Sequence, residues 1–443
     1  MKRPIFVLLR ALAAVNAAFA QAPPLRLTLD EAVVRGIEAS HRLEELSARQ
    51  EAAQAIEDQR VAAERPQLAA LAGYTRINHI EEFGVPNPGG AFRLIYPDLP
   101  NRTQSRIDLQ WPIYTGGRLG ALTRAAGAEV DAAGQDRDAA RADLKLEITR
   151  SFLAVLTARA AANVVGQALE RTSAHLTDVR NQLSVGLVPP SDVLTIEAQQ
   201  AHQRMLSIEA ETIAETTMAE FKRLVGLDQE VAVELIPVGG MVGPPPPPDP
   251  AAPTRAVMDE ARANRPERKS LLFRINAAEE RVAAASAGSL PVLTAAGGYD
   301  VSRPNLKIFP IQDRWMPSWD IGVNVRWSLF DGGRVRAETA EAAANRRAVD
   351  ARLRDFDAGV EVEVRQRMAE LTSATAAIDA AAVGVRSAAE ARRVIAERFS
   401  AGVATNMDVL DAQTALLQAE LDLTRARASA ELARARLQRA LGR

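Results

Sequence analysis

Hydrophobic side chains follow two different periods along this chain. In residues 106–114 and 319–330 every second position is apolar, which predicts β-strands with one apolar face and one polar face. Residues 68–77 and 292–301 are the predicted partners, so the sequence contains two hairpins. The apolar positions of the two regular strands are Ile107, Leu109, Trp111 and Ile113, then Trp319, Ile321, Val323, Val325, Trp327 and Leu329.

The longer segments have the helical period instead. Residues 118–185 contain no proline, and their apolar positions include Leu144, Ile148, Phe152 and Val155 at helical spacing. At 1.5 Å per residue such a helix is roughly 100 Å long. Residues 334–401 form the matching helix of the second half, and shorter helices are predicted over 191–225 and 406–441.

A further helix is predicted over residues 28–64, which contain no proline. Thr28 is followed three residues later by Glu31, the spacing of a capping box. Each half of the chain therefore reads as helix, hairpin, long helix, turn and returning helix.

Five motifs recur in the same order, which shows that the chain is one unit written twice. Gly186 and Asp192 are each 216 residues before Gly402 and Asp408, and "WPIYTGGRL" is 216 residues before "WSLFDGGRV". The same offset takes Gly226 of "RLVGL" onto Gly442 of "RALGR". "RPQLAALAGY" precedes "LPVLTAAGGY" by 225 residues, so the first hairpin has a loop nine residues longer. We expect a first repeat at 21–242, a Pro-rich linker at 243–253 and a second repeat at 254–443.

The strands are about the length of membrane-barrel strands and have aromatic residues near their ends. Four strands cannot close a barrel, and an open sheet edge is unstable in lipid. Several copies must therefore contribute to one barrel, and the helices, repeated around the same axis, would continue it as a tube. A soluble half-buried strand pair is the alternative.

The N-terminus supports export from the cytoplasm. "MKRPIFVLLRALAAVNAAFA" has a basic start, an apolar stretch and a small-x-small ending, which predicts a signal peptide over residues 1–20. An amphipathic helix is the alternative. No later segment has eighteen uninterrupted apolar residues, so no transmembrane helix is expected.

Composition excludes several kinds of chemistry. The formal net charge is −2 and becomes about −5 without Lys2, Arg3 and Arg10, so no nucleic-acid partner is expected. The absence of cysteine excludes disulfides, thiolate metal sites and cysteine nucleophiles. The four histidines (His41, His79, His175 and His202) lack the spacing of a helical metal site, and a solvated pair is expected for the last two. No enzyme, metal or cofactor is predicted, whereas a periplasmic coiled-coil scaffold remains an alternative.

The tandem halves, the "GGR" after each second strand and the "G-x(5)-D-V-L" turns resemble the outer membrane efflux protein family, the TolC-like channels. The resemblance implies a homotrimer with a 12-stranded barrel in the outer membrane of a Gram-negative-type cell and a 12-column helical tunnel in the periplasm. It also implies outer membrane lipid, a periplasmic adaptor and an inner-membrane transporter as partners. The cargo, whether drug, metal or protein, is not indicated.

The resemblance also implies site residues. The two turns would be adaptor-docking tips: Val185, Gly186 and Leu187 in the first, and Gly402, Val403, Thr405 and Asp408 in the second. The first tip departs from the family pattern, because Val188-Pro189-Pro190 stands where Ser or Thr is usual. Thr405 and Asp408 would also cap the returning helix.

A periplasmic gate is expected close to these tips. The family narrows its entrance with acidic rings, and the candidates here are Asp178, Glu390 and Glu397, with Arg393 as a basic neighbour. A solvated helix face is the alternative for these charges. The basic residues around them could instead form salt bridges between helices.

Overall fold

The computed structural model describes residues 24–90, 92–237 and 254–443. The predicted signal peptide and the Pro-rich linker lie outside the described residues. Within them, long helices predominate and the strands form one four-stranded and two two-stranded sheets. The predicted fold class, long helical hairpins joined to four principal strands, is confirmed.

Two helices, two long strands and two further helices follow one another in the same order in both halves, and the first half has four additional short strands among the described residues. The first half contains β1 (Leu25–Leu27), α1 (Leu29–Glu38), α2 (His41–Ala63), β2 (Gln67–Arg76), β3 (Phe83–Pro86), β4 (Phe92–Tyr96), β5 (Asn101–Tyr114), α3 (Arg118–Ser184), α4 (Pro190–Leu224) and β6 (Val233–Leu235). The second contains α5 (Thr254–Asn264), α6 (Pro266–Ser286), a 3₁₀ turn (Ala287–Ser289), β7 (Val292–Arg303), β8 (Met316–Arg326), α7 (Arg334–Ser400) and α8 (Asn406–Ala440). Helices α3, α4, α7 and α8 begin and end within one residue of the sequence prediction.

The predicted single helix over 28–64 is wrong, because the structure breaks it at Ala39 and Ser40. The capping box at its start is present: Glu31 N–H donates to the Thr28 hydroxyl at 3.3 Å, and Thr28 N–H donates to the Glu31 carboxylate at 2.8 Å. The Ser40 hydroxyl then accepts from Leu43 N–H and caps α2. Gly226, which follows α4 with a φ of +66°, abuts Ala39 so closely that a Cβ would clash.

The second half has the equivalent break between α5 and α6. Gly442, which follows α8 with a φ of +78°, lies directly against Asn264 and Arg265. The Arg265 guanidinium donates to the carbonyl of Ala440 at 2.7 Å and pairs with Glu363 at 2.5 Å. In each half the returning helix therefore ends on a glycine that packs against the break between the first two helices.

The four principal strands form one antiparallel sheet in the order β2-β5-β7-β8. The regular alternation predicted for residues 319–330 is correct only as far as Arg326. Its partner β7 begins at Val292, opposite Arg326, so Trp327 and the residues after it have no strand to pair with. The Trp327 indole N–H donates instead to the carbonyl of Ser289 at 3.1 Å.

The longer loop of the first hairpin contains a small hairpin of its own. Strands β3 and β4 pair antiparallel within this loop, which joins β2 to β5. Separately, β1 and β6 form a parallel pair in which Leu25 lies opposite Val233.

Contacts divide the chain into two compact units that do not coincide with the sequence repeats. We call them the tip unit (residues 24–39, 148–237 and 381–428) and the strand unit (residues 40–147 and 254–380, with 429–443). Helices α3, α7 and α8 contribute residues to both units. Each repeat therefore supplies part of each unit, and the division into repeats remains a prediction about the sequence.

Each unit has its own apolar core. In the tip unit the rings of Phe152 and Phe221 meet edge to face at 5.9 Å, and both side chains are fully buried. In the strand unit Val360 and Val364 pack with Ala261, Ala440 and Leu441. Small alanine side chains fill much of the remaining helix contact, which lets the helices approach closely.

Two of the helices contain apolar windows of membrane-spanning length. By length and composition alone, one 18-residue window in α3 and one in α7 could cross a membrane. Neither window consists of eighteen uninterrupted apolar residues, the pattern on which the expectation of no transmembrane helix rests. A helix of 67 residues is roughly 100 Å long, about three times the hydrocarbon thickness of a bilayer.

Candidate functional site

The two helix turns that share the "G-x(5)-D-V-L" motif have the same backbone geometry. Gly186 and Gly402 have φ values of +79° and +74°, a region that glycine occupies without strain. Leu187 N–H donates to the carbonyl of Gln182 and Val403 N–H to that of Arg398, both at 2.9 Å. This pattern is a Schellman motif, and it ends α3 and α7 in the same way.

The returning helices begin differently at the two turns. At the second turn Thr405 N–H donates to the Asp408 carboxylate at 2.8 Å, and Asp408 N–H donates to the Thr405 hydroxyl at 3.2 Å. The Thr405 hydroxyl also donates to the Asp408 carboxylate, at 2.7 Å. The two bonds that this carboxylate accepts from Thr405 lower the pKa of Asp408, and the contacts together form the reciprocal cap that the sequence predicts. At the first turn Pro189 and Pro190 begin α4 with no side-chain cap.

Both turns present apolar side chains to solvent. Val185, Leu187 and Val403 are 70%, 74% and 73% exposed, although the turns are tightly hydrogen-bonded. A well-ordered turn with exposed apolar side chains is suited to binding another protein. The predicted tip residues therefore have a common geometry, and their docking role remains a proposal.

Below the turns, the two helical hairpins are tied together by residues that the sequence did not indicate. The Asn406 side-chain amide donates to the Asp192 carboxylate at 2.5 Å, which joins the first turns of α8 and α4. The His175 ring of α3 meets Phe399 of α7 edge to face at 5.2 Å.

An apolar cluster lies around these contacts. It contains Leu176, Val179, Val193, Ile196 and Leu410, which come from α3, α4 and α8. The two turns are therefore parts of one packed unit.

His175 differs from the prediction of a solvated histidine pair. Its side chain is buried beside Phe399, whereas His202 is exposed. Burial lowers the pKa of His175, against the opposing effects of Asn406 and Asp178. The prediction is therefore wrong for His175, because a ring contributed by α7 covers it.

The predicted gate charges lie on solvent-exposed helix surfaces. Arg393 pairs with Glu390 at 2.6 Å and with Glu397 at 2.5 Å, all three on α7. Arg393 lowers the pKa of Glu390. The suggested salt bridges between helices are not formed by this arginine, because its carboxylates lie one turn before and after it on the same helix. Asp178 is exposed on α3.

Among the described residues, no cluster of three or more His, Asp or Glu side chains is arranged to hold a metal ion. His41 lies 3.3 Å from Glu44 of the same helix, and His79 lies 2.6 Å from Asp98. These contacts are ordinary surface pairs.

One face of the four-stranded sheet is apolar and open to the surroundings. Trp319 and Ile321 are 72% and 80% exposed, and Tyr299 lies opposite Trp319 on the same face. Across the sheet this face continues through Ile107 and Leu109. In water such a surface is unfavourable, so the sheet is suited to face lipid.

The opposite face carries a network of charges. Arg106 donates two bonds to Asp320, at 2.8 and 3.0 Å, and a third to Asp108 at 2.6 Å. Lys307, from the loop between β7 and β8, donates to Asp300 at 2.8 Å and to Asp320 at 2.7 Å. The two faces therefore have the apolar-out, polar-in character of a membrane barrel.

Comparison with known proteins agrees with this architecture. The profile of the family described as "Outer membrane efflux protein" matches residues 33–227 and 257–443. The chain belongs to the outer membrane efflux protein family. The family resemblance drawn from the sequence is thus confirmed, as is its outer-membrane location with periplasmic helices.

Individual relatives of this outer membrane efflux protein are distant. The chain is 26% identical to Protein CyaE of Bordetella pertussis over 321 residues, which is 71% of this chain and 65% of CyaE. It is 26% identical to outer membrane protein TolC of Vibrio cholerae over 322 residues, 68% of this chain and 67% of TolC. The matches thus span about two thirds of these curated relatives.

A solved structure supports the fold alone. The crystal structure of the outer membrane protein VceC from Vibrio cholerae aligns with a TM-score of 0.76 at 20% identity, covering 94% of this chain and 96% of VceC. The long helices and the strands of this outer membrane efflux protein therefore have the arrangement of that fold.

Proposed function

We propose that this protein is the passive outer-membrane exit duct of a tripartite efflux or type I secretion system and that it works as a homotrimer. The observation that carries the proposal is the four-stranded sheet. It has an exposed apolar face, a charged opposite face and two unpaired edge strands, β2 and β8. A sheet of this kind persists in lipid only when its edges are closed.

Further copies of the same chain can close the sheet into a barrel and pair the backbone groups of the two edge strands. Joining β8 of one copy to β2 of the next repeats the antiparallel pairing already present within the chain. Three copies give twelve strands, which is within the size range of membrane barrels. Each strand pair is followed directly by a 67-residue helix, so the helices continue the barrel as a tunnel. A periplasmic scaffold would gain nothing from an exposed apolar sheet face.

The tips are the proposed docking surface for a periplasmic adaptor. Their exposed apolar side chains (Val185, Leu187 and Val403) stand on rigid turns, so adaptor binding would order little additional chain. The inner-membrane transporter would supply the energy. The duct itself conducts without chemistry, and no catalytic residue is proposed.

The proposed gate lies on the helices just before the turns. Glu390 and Glu397, paired with Arg393 on α7, and Asp178 on α3 would form charged rings when three copies surround the axis. Opening would then involve the packed unit that joins the two hairpins, because the contact between Asn406 and Asp192 holds α8 to α4.

Heat-modifiable migration tests the proposed assembly. Protein extracted from outer membranes should run as a trimer without boiling and as a monomer of 47.7 kDa or less after boiling. Detergent-corrected light scattering should give three chains per particle. A monodisperse monomer, or recovery in the soluble fraction only, would contradict the proposal and favour the scaffold.

A further inference from the structure

We propose that the loop between β7 and β8 (residues 304–315, called the inner loop) folds into the barrel lumen and sets the size and charge of solutes that can leave. This inference rests on the proposed channel function. The alternation of side chains along the strands determines on which face of the sheet the loop lies.

The inner loop is fastened to the charged face of the sheet. Asp300 and Asp320, the two carboxylates bound by Lys307, point to the face opposite Tyr299 and Trp319, because alternate residues of a strand point to opposite sides. If the apolar face meets lipid, the charged face and the loop attached to it lie inside the barrel. The loop therefore cannot extend freely away from the membrane.

A second anchor holds the start of the inner loop. The Asn305 side-chain amide donates to the carbonyl of Met316 at 2.8 Å and to the Ser318 hydroxyl at 2.9 Å. The Ser318 hydroxyl donates in turn to Asp300 at 2.8 Å. Asn305 and Asp300 are only 1% and 2% exposed, although they come from a surface loop and a sheet face, so the loop covers the strands closely.

The inner loop also extends across the other hairpin. A cavity of about 590 Å³ lies between the start of the loop and strands β2 and β5. Its lining includes Leu71 and Arg102 from the strands and Pro304 and Leu306 from the loop. Further along, the ring of Phe309 lies 6.5 Å from that of Tyr96 in β4. The loop therefore lies above all four strands of the principal sheet.

The inner loop lies at the outer end of the barrel, as its position along the strands indicates. Strands β5 and β8 continue towards α3 and α7 at their C-terminal ends, and the inner loop joins β7 to β8 at the opposite end. If the helices are periplasmic, the loop is at the extracellular end. We call the five charged side chains that fasten the loop to the sheet the clamp. They are two cations (Arg106 and Lys307) and three carboxylates (Asp108, Asp300 and Asp320), so the clamp carries one net negative charge per chain.

Removing the Lys307 cation should widen the outer opening of the barrel and make it more negative. Lys307→Met releases the clamp and leaves Asp300 and Asp320 without this partner. In planar lipid bilayers we expect the single-channel conductance to rise roughly 1.5-fold or more and the preference for cations to increase. Lys307→Arg, which keeps the charge, should stay near the parent protein and controls for damage to the barrel.

A cysteine placed beside an intact clamp tests the lumenal position directly, because the chain has no cysteine of its own. Leu306→Cys keeps Lys307 in place, and an anionic methanethiosulfonate reagent should lower its conductance by roughly a third or more. Ile321→Cys, on the apolar face, is the matched control and should conduct unchanged with the same reagent.

The outcomes separate the two proposals. Raised conductance in Lys307→Met together with block of Leu306→Cys supports the inner loop as the outer constriction. A parent protein that conducts, with a labelled Leu306→Cys that is not blocked and a Lys307→Met variant of parental conductance, overturns the inference and leaves the channel intact. A correctly assembled parent protein that never conducts overturns both.

Discussion

The tip surface can be tested with one polar substitution at each turn, Leu187→Ser and Val403→Ser. Both side chains are about three-quarters exposed, at 74% and 73%, so they add little to the stability of the free protein. Burying a complete leucine or valine side chain contributes ~1.5–3 kcal/mol. With three quarters of that surface available to a partner, each tip should lose roughly 1–2 kcal/mol of adaptor binding.

In affinity terms this loss is about 5- to 30-fold for a single tip contact. Three equivalent tips in a trimer would increase the observed effect when an adaptor assembly engages several of them together. Surface plasmon resonance with immobilised adaptor measures the dissociation constant, and thermal unfolding of the trimer checks that stability is unchanged.

Val383→Ser is the matched control for this experiment. Val383 is an exposed valine of α7, at 51%, but it lies roughly 25 Å before the end of the helix at 1.5 Å per residue. The Val383→Ser variant should therefore bind the adaptor as the parent protein does. Undiminished adaptor binding by both Leu187→Ser and Val403→Ser would refute the reasoning. Loss at Val403 alone would restrict docking to the capped second tip.

Three further predictions concern the same end of the helices. Gly402→Asp adds a side chain where φ is +74° and a charge beside the apolar tip, so trimers should form but efflux should fall; normal efflux would count against docking at this tip. Because burial lowers the pKa of His175, the tip packing should lose stability as the pH drops below the ordinary histidine value of about 6.5. Amide protection factors at the tip, which are corrected for the intrinsic pH dependence of exchange, should therefore fall at acidic pH, much less so in His175→Phe but fully in His202→Asn. Protection factors in the parent protein that stay constant across this pH range would sink this idea. The bonds from Thr405 lower the pKa of Asp408, so the cap stabilises the fold above the ordinary Asp range and weakens as the pH falls through it; Asp408→Ala should lower the melting temperature at neutral pH, and a loss that is equally large in acid would contradict the cap.

The sequence predicts the helix ends well because local chemistry determines them. Gly186 and Gly402 have the left-handed conformation that ends a helix, and Thr405 with Asp408 forms the cap that starts the next one. Because the chain is a tandem repeat, each helix end is also indicated a second time, by the matching residues of the other half. As a result, the predicted ends of the long helices agree with the structure within one residue.

The errors arise where distant segments decide the local structure. The break at Ala39 depends on Gly226, nearly two hundred residues away, and the end of β8 depends on where β7 begins. The end of β8 has no signal in the local pattern, which alternates beyond Arg326. The break at Ala39 has one short local signal, Ser40, which caps α2 but lies within an otherwise helical pattern.

The polar networks were missed for a related reason. Lys307 lies in a loop whose sequence gives no indication that it folds back onto Asp300 and Asp320. His175 and Phe399 come from different halves of the chain. Contacts of this kind depend on how the helices and strands pack, which periodicity and spacing do not determine.

The central claim is that three copies of this chain form an open duct through a membrane, and reconstitution into planar lipid bilayers measures it most directly. Purified trimers should produce discrete single-channel current steps whose size is the same from one insertion to the next. The steps should require the trimer and disappear when the protein is boiled before addition. Trimers that insert into the bilayer and produce no current steps would contradict the account.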